Sequence, residues 1–385
     1  MLKGGIPIGK AFGIQLRLHY SWFFIFVLIT WALTASYFPA IYPAWSLSMK
    51  IGAGLVTSFL FFGSVLVHEL MHSIVALKEG IQIRAITLFF LGGVSEMTGE
   101  PKTAGDEFRM AGAGPLSSLI LGGIFLGIFL VLRTSNLESY QFGAAVTYYL
   151  GYINILLGIF NLIPGFPLDG GRVLRSIIWK ITNNLRRATK IASNIGRGIG
   201  YLFIFGGIYF VFGGAVYGFG GFINGIWFVL IGWFLETAAA GSYRQLALQE
   251  VLKGHHASEI MSKDCLMVPG DMTVERLINE HILTSGRRCF PVVSNDRVVG
   301  MITLHNIKIV PQEQRSLKTT FDIMTPLEKV KWVKPEEDLS TVLQILTESN
   351  INQVPVFEDD GKHLVGMVNR DNLLTFIDIR GGLGI

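Results

Sequence analysis

Apolar positions come in long, unbroken runs over the first 240 residues, and beyond about residue 245 they shorten to alternating and amphipathic stretches. The long runs are of bilayer length. Six of them, near 18–38, 52–77, 108–132, 143–164, 194–214 and 220–240, predict about six transmembrane helices. The first is too long and too aromatic for a cleaved signal peptide, with Trp22, Phe23, Phe24, Phe26 and Trp31, and no small-residue cleavage site follows it. Glycines crowd the fifth and sixth around Tyr217-Gly218-Phe219-Gly220-Gly221, which predicts a tight loop there. In membrane helices, glycine is also a packing device.

Between the second and third runs, residues 81–97 are β-branched, too short to span and bounded by turn residues. They predict paired strands bent at Gly92-Gly93, a short membrane-associated β region. Backbone at that depth is tolerated only where protein or water covers it. An exposed strand edge there offers pairing to an unwound peptide, whereas a plain re-entrant connector is the simpler alternative.

Composition reinforces the division. Half of all residues are hydrophobic and only 16% are charged, against about a quarter in soluble proteins; mean hydropathy is +0.48. Residues 1–242 read as a membrane domain and the rest as an ordinary soluble one. Basic residues flank the spans: Arg172, Arg175, Lys180, Arg186, Arg187, Lys190 and Arg197 follow the fourth, and Lys78, Arg84, Lys102 and Arg109 follow the second. Only Lys50 and Arg133 flank the other side. The positive-inside rule then places both termini and the soluble part in the cytoplasm of a multi-pass cell-membrane protein. With net charge +4 concentrated beside the spans, nucleic acid is a poor partner. Cys265 and Cys289, the only cysteines, suit a reducing compartment.

The chemistry sits in the second span, as His68-Glu69-Leu70-Met71-His72. Residues i and i+4 share a helix face, so both imidazoles can reach one Zn²⁺, and Glu69 is displaced as a base for the attacking water. A lone buried histidine is usually structural, but three such groups at bilayer depth mark function. A hydrolytic zinc site uses three protein ligands and keeps a place for water. For the third, His19 begins the first span and suits the interface, and Glu236 near the end of the sixth suits snorkelling or capping. Asp169 stands where Pro164, Gly165, Pro167, Gly170 and Gly171 interrupt the apolar run, turning a carboxylate inward or merely capping the next helix.

His68-Glu69-x-x-His72 with Asn161-x-x-Pro164-x-x-x-Leu168-Asp169-Gly170 resembles the site-2 protease family of intramembrane zinc metalloproteases. Ala113-Gly114-Pro115 and Gly92-Gly93 also match that family, across the membrane half. The resemblance implies zinc on His68, His72 and Asp169, Glu69 as general base, and Asn161 contacting substrate or the oxyanion. It further implies transmembrane or membrane-anchored protein substrates and regulated intramembrane proteolysis. A regulated channel would spread polar residues along several spans, and a dead client-binding homologue would be free to lose Glu69 or Asp169; neither pattern is seen. Spans one, five and six are the expected gate for substrate.

The soluble part repeats itself. Glu259-Ile260-Met261-Ser262 recurs as Asp322-Ile323-Met324-Thr325, Phe290-Pro291-Val292-Val293 pairs with Val354-Pro355-Val356-Phe357, and Val299-Gly300-Met301-Ile302 with Val365-Gly366-Met367-Val368. These repeats resemble a tandem of cystathionine-β-synthase-type (CBS) domains, over 256–314 and 316–380, an α/β pair. The resemblance implies ATP or another adenine nucleotide as regulator, and a possible homodimer through the pair. Its nucleotide positions match Thr303 with Asn306 and Asn369 with Asn372, where the family's Asp is Asn in both copies. Asn still bonds a ribose hydroxyl but is not a charge-assisted acceptor. Arg287, Arg288 and Arg370 are the cations available to phosphate. A dimerisation or docking module is the alternative.

Overall fold

The computed structural model describes residues 5–90, 92–97, 99–134, 140–216, 219–358 and 363–383. Two compact units, Met1–Arg244 and Gln245–Ile385, divide the chain.

The first unit opens with a hairpin, β1 (Gly5–Ala11) and β2 (Ile14–His19). At its end the His19 Nδ1 accepts from the Ser21 amide at 3.2 Å, so the residue expected at the interface caps the first helix. Helix α1 (Tyr20–Ala32) continues through a wider turn, Leu33–Tyr37, into α2 (Phe38–Ile41). After α3 (Leu47–Lys78) come β3 (Ile83–Phe89) and β4 (Gly92–Met97), the expected paired strands. Helices α4 (Ala104–Thr134), α5 (Gln141–Asn161), α6 (Asp169–Thr182), α7 (Leu185–Val211) and α8 (Phe222–Leu252) follow, with the two-residue strands β5 (Ala215–Val216) and β6 (Phe219–Gly220) paired between the last two. Tyr217 and Gly218 of the expected tight loop lie outside the described residues.

Among the described residues, six helical segments are long and apolar enough to cross a membrane: Tyr20–Ile41, Leu47–Lys78, Ala104–Thr134, Gln141–Asn161, Leu185–Val211 and Phe222–Leu252. Two reach well past their apolar runs. Helix α7 starts at Leu185 rather than near 194, and α8 continues to Leu252 rather than stopping near 240. Hydropathy sees where apolar side chains stop, whereas helical hydrogen bonding continues through charged turns outside the apolar zone.

One four-stranded sheet, ordered β1-β2-β3-β4, joins the N-terminal hairpin to the expected pair. Strands β2 and β3 run parallel, from Gln15↔Ala85 to Leu18↔Leu88. Its inner face buries Ile14, Ile83 and Ile86 against Ala76 of α3 and Met110 of α4. That contact fixes the strands beside the motif helix. Helix α6 packs on α4 and α7 and is too short and one-sided to span. Where α7 meets α8, a methyl added to Gly207 would stand 2.6 Å from the Gly225 carbonyl, and one on Gly200 2.9 Å from that of Gly232. Small residues there let the two backbones touch.

The second unit contains two copies of one pattern. The first has α9 (Ala257–Ile260), β7 (Val268–Pro269), α10 (Val274–Arg276) running on to α11 (Leu283–Ser285), β8 (Cys289–Ser294), β9 (Arg297–Thr303) and α12 (Leu304–Lys308). The second has α13 (Thr320–Ile323), β10 (Thr325–Pro326), α14 (Leu339–Glu348), β11 (Gln353–Glu358), β12 (His363–Asn369) and α15 (Arg370–Leu383). Each has its own core, around Leu277, Phe290 and Ile302 in one and Leu346, Val354 and Val368 in the other. Strand β10 of the second copy completes the first copy's sheet, pairing Thr325 with Met301, and Ser262 of the first bridges to Met367 of the second. The copies begin alike: the Glu259 carboxylate accepts from the His256 amide at 2.9 Å and the Asp322 carboxylate from the Thr319 amide at 2.8 Å. Those backbone bonds hold both carboxyls below their ordinary range.

Candidate metal centre

His68 and His72 stand one turn apart on α3, both 5% exposed, and the first residue of α6, Asp169, meets them. Asp169 Oδ2 lies 3.1 Å from the Nε2 of each histidine, and the two Nε2 atoms are 3.2 Å apart. Leu168, not Asp169, occupies the cap position of α6, so the carboxylate is free to face the imidazoles. The three ligand atoms lie within 4.8 Å of one another, a set that could hold a metal ion.

The far side of each ring is held. Met110 of α4 presents its carbonyl oxygen to His72 Nδ1 at 2.7 Å. A carbonyl only accepts, so Nδ1 carries the proton and Nε2 keeps its lone pair for a metal. His68 Nδ1 shares a 2.9 Å hydrogen bond with the Ser118 hydroxyl, also on α4. Gly114 lies between them on the same helix. A methyl there would stand 2.7 Å from His68 Nε2 and closer still to His72, so only glycine leaves the space in front of both nitrogens open. Two imidazoles, a carboxylate and that opening fit zinc with a fourth place for water.

Glu69, half-buried, follows His68 on α3 and meets β4. Its Oε2 accepts from the Ser95 hydroxyl at 3.2 Å, and Ser95 shares a further bond of 3.1 Å with Ser73. Gly93 packs so closely on Glu69 that a side chain there would strike its Cγ. Beneath the centre, Arg175 of α6 donates to Glu107 Oε1 of α4 from Nε at 2.6 Å and again from Nη2. Glu107 is 0% exposed, and Arg175 also lies over the Phe166 ring at 5.2 Å, so the pair ties the Asp169 helix to α4, whose Met110 and Ser118 bond the histidine rings.

Sequence reasoning brought His68, Glu69, His72 and Asp169 to this place, and the structure gathers them. Asn161 donates its carboxamide to the Leu157 carbonyl within α5 at 3.0 Å. Glu236, expected to snorkel or cap, accepts from Arg197 Nε at 2.9 Å. In the second unit, the Thr303 amide and hydroxyl both donate to Asn306 Oδ1, at 3.0 and 2.6 Å, and Asn369 Oδ1 accepts from the Asn372 amide at 2.7 Å. Each Asn also reaches the other copy, Asn306 Nδ2 to the Ile323 carbonyl and Asn372 Nδ2 to that of Ile260, both at 3.0 Å. Sequence reasoning missed Ser118, Met110, Ser95 and the Glu107–Arg175 pair. Ser95, inside the strand region beside Gly92-Gly93, was the one with a local signal.

Comparison with known proteins identifies the family. The model of peptidase family M50 matches residues 56–147 and 135–206, and the CBS-domain model matches 257–311 and 321–379. The sll0528 protein of Synechocystis is 32% identical over 97% of this chain and 95% of its own length. Zinc metalloprotease MJ0392 of Methanocaldococcus jannaschii is 30% identical over 97% of this chain and 96% of its own. Among solved structures, the site-2 protease from the same archaeon matches 63% of this chain and 96% of that one, with 32% identity and a TM-score of 0.42. On these matches, with a buried trio that could hold a metal, the chain belongs to peptidase family M50, the site-2 proteases, as a zinc metalloprotease with a C-terminal CBS tandem.

Proposed function

We propose that this chain cuts transmembrane or membrane-anchored proteins within the bilayer, as a regulated intramembrane protease. The observation that carries the reading is the buried trio His68, His72 and Asp169 with Glu69 beside it, under a strand at the edge of a sheet. Zinc on the trio supplies a Lewis acid that brings the pKa of a water toward about 7. Glu69 takes the proton of the attacking water and returns it to the leaving amine. Ser95 steers this by fixing Glu69 Oε2. The Met110 carbonyl and Ser118 keep both Nε2 atoms aimed at the metal place. Asn161 as the oxyanion donor requires its carboxamide to leave Leu157 when substrate arrives.

A peptide bond inside a helix is shielded by its own hydrogen bonds, so substrate must unwind before it is cut. Strand β4 closes one edge of the sheet, and its free backbone groups offer such a segment a partner by strand addition. Segments rich in Gly, Pro or Asn unwind at lower cost. Spans one, five and six form the entry gate in this reading. The basic flanks favour cytoplasmic termini. The domain limits 1–242, 256–314 and 316–380 go with the same reading. The CBS tandem senses adenine nucleotide through Thr303, Asn306, Asn369 and Asn372, with arginines nearby for phosphate, and pairs two chains.

The test compares full-length wild type with Glu69→Gln for zinc content and for cleavage of a single-pass substrate in vesicles. Both hold about one zinc per chain, and only wild type cleaves, the variant losing at least roughly 10²-fold in rate. Zinc-loaded wild type that leaves every membrane substrate intact sinks the proteolytic reading.

A further inference from the structure

Away from the metal centre, a recess of about 210 Å³ opens between α7 and α8. Ser193 and Arg197 line it from α7, and Glu236, Ala240, Tyr243 and Arg244 from α8. The space is too small for a whole cofactor and suits one polar group. Arg197 is matched by Glu236, Nε to Oε1 at 2.9 Å. Arg244 is exposed and forms no ion pair among the described residues, so the recess keeps one net positive charge. Ser193 is 2% exposed, and its hydroxyl has no hydrogen-bond partner among the described residues. A guanidinium, an unpartnered hydroxyl and the Tyr243 phenol together call for an anion with several acceptor oxygens, which is the chemistry of phosphate.

Depth selects the source. On α8, Phe222–Leu235 carries no charge and Glu236 is its first ionisable residue; on α7, Arg197 is the last basic residue before the uncharged run to Val211. The recess therefore sits where the apolar zone ends on both helices, at the level of lipid headgroups. Arg186, Arg187 and Lys190 on the preceding turns of α7 add positive field. Farther into the apolar stretches of α7 and α8, Leu202, Phe205 and Trp233 are 70%, 67% and 64% exposed, a surface for acyl chains. We propose that this recess binds the phosphate of an anionic phospholipid, its chains lying along Leu202, Phe205 and Trp233.

The experiment titrates the full-length chain in neutral detergent with phosphatidylglycerol, phosphatidylcholine or inorganic phosphate, following bound lipid by native mass spectrometry and melting in parallel. Arg244→Gln removes the free charge, and Ala240→Leu fills the recess without touching a charge. Phosphatidylglycerol is expected to bind wild type about tenfold more tightly than either variant, while phosphatidylcholine, with its charge cancelled, does not distinguish them. If inorganic phosphate binds with that dependence on Arg244 and phosphatidylglycerol does not, the site takes soluble phosphate and the lipid assignment falls. Equal phosphatidylglycerol binding by wild type and both variants, with lipid-free melting unchanged, overturns the site altogether.

Discussion

The Met110 carbonyl decides which nitrogen of His72 carries its proton, and so which is left for zinc. Ser118 serves His68 less rigidly, because a hydroxyl can donate or accept. Removing it should therefore be a graded loss. Ser118→Ala is expected to weaken zinc binding about 10–100-fold, read by competition with a chelator, while melting of the metal-free chain barely moves. Unchanged zinc affinity would show that α3 alone orients His68. The candidate ligands were legible for a local reason: His68 and His72 are one turn apart in an apolar helix, so spacing alone paired them. Asp169 was only one of three candidates until its motif was matched to a family. Ser118 and Met110 lie far along the chain from the rings they hold, and no local pattern records such a contact. Gly114 stood within a recognised motif, yet its reason, the room a methyl would take from two imidazoles, needed the third dimension.

At the scale of elements, α6 is the piece that delivers Asp169, and the Glu107–Arg175 pair fastens it to α4. Breaking one side of a buried ion pair strands the other charge, at about 3–5 kcal/mol. Arg175→Ala should thus lower the melting temperature sharply, and Arg175→Met with Glu107→Gln, which leaves neither charge of the pair, should recover most of it. A double variant no better than the single would place the loss in the missing stack on Phe166. The length of α6 was not foreseen, because one apolar face over Asp169–Thr182 is invisible to a search for bilayer-length runs. The β1–β2 hairpin escaped for another reason. Ile6 and Ile8 of β1 are exposed, at 41% and 49%, so apolar alternation there does not mark a buried face. Moreover, β2 finds its parallel partner β3 only beyond two helical segments and the long α3. By contrast, β3 and β4 pair with each other and are close in sequence, so they were legible together.

In the whole molecule, an apolar half and a repeated polar half were plain from composition, and the repeat was plain from its recurring motifs. Whether the tandem answers to nucleotide turns on the two Asn pairs, whose side chains already bond within the unit. A ligand that binds only the folded tandem stabilises it by about 2.7 kcal/mol at a hundredfold excess over its Kd. AMP or ATP added to the full-length chain should accordingly raise the melting of the CBS transition and change the rate of substrate cleavage. Millimolar nucleotide without any shift would leave the tandem as a docking or dimerisation module.

The exchange between the two copies also bears on how such a module is inherited. The first lends Asn306 to Ile323 and takes β10 in return, while the second lends Asn372 to Ile260 and takes a bridge from Ser262. A gene fragment ending between the copies would encode a sheet without its edge and a carboxamide without its acceptor. The pair is thus the smallest heritable piece, to be gained, shuffled or deleted whole.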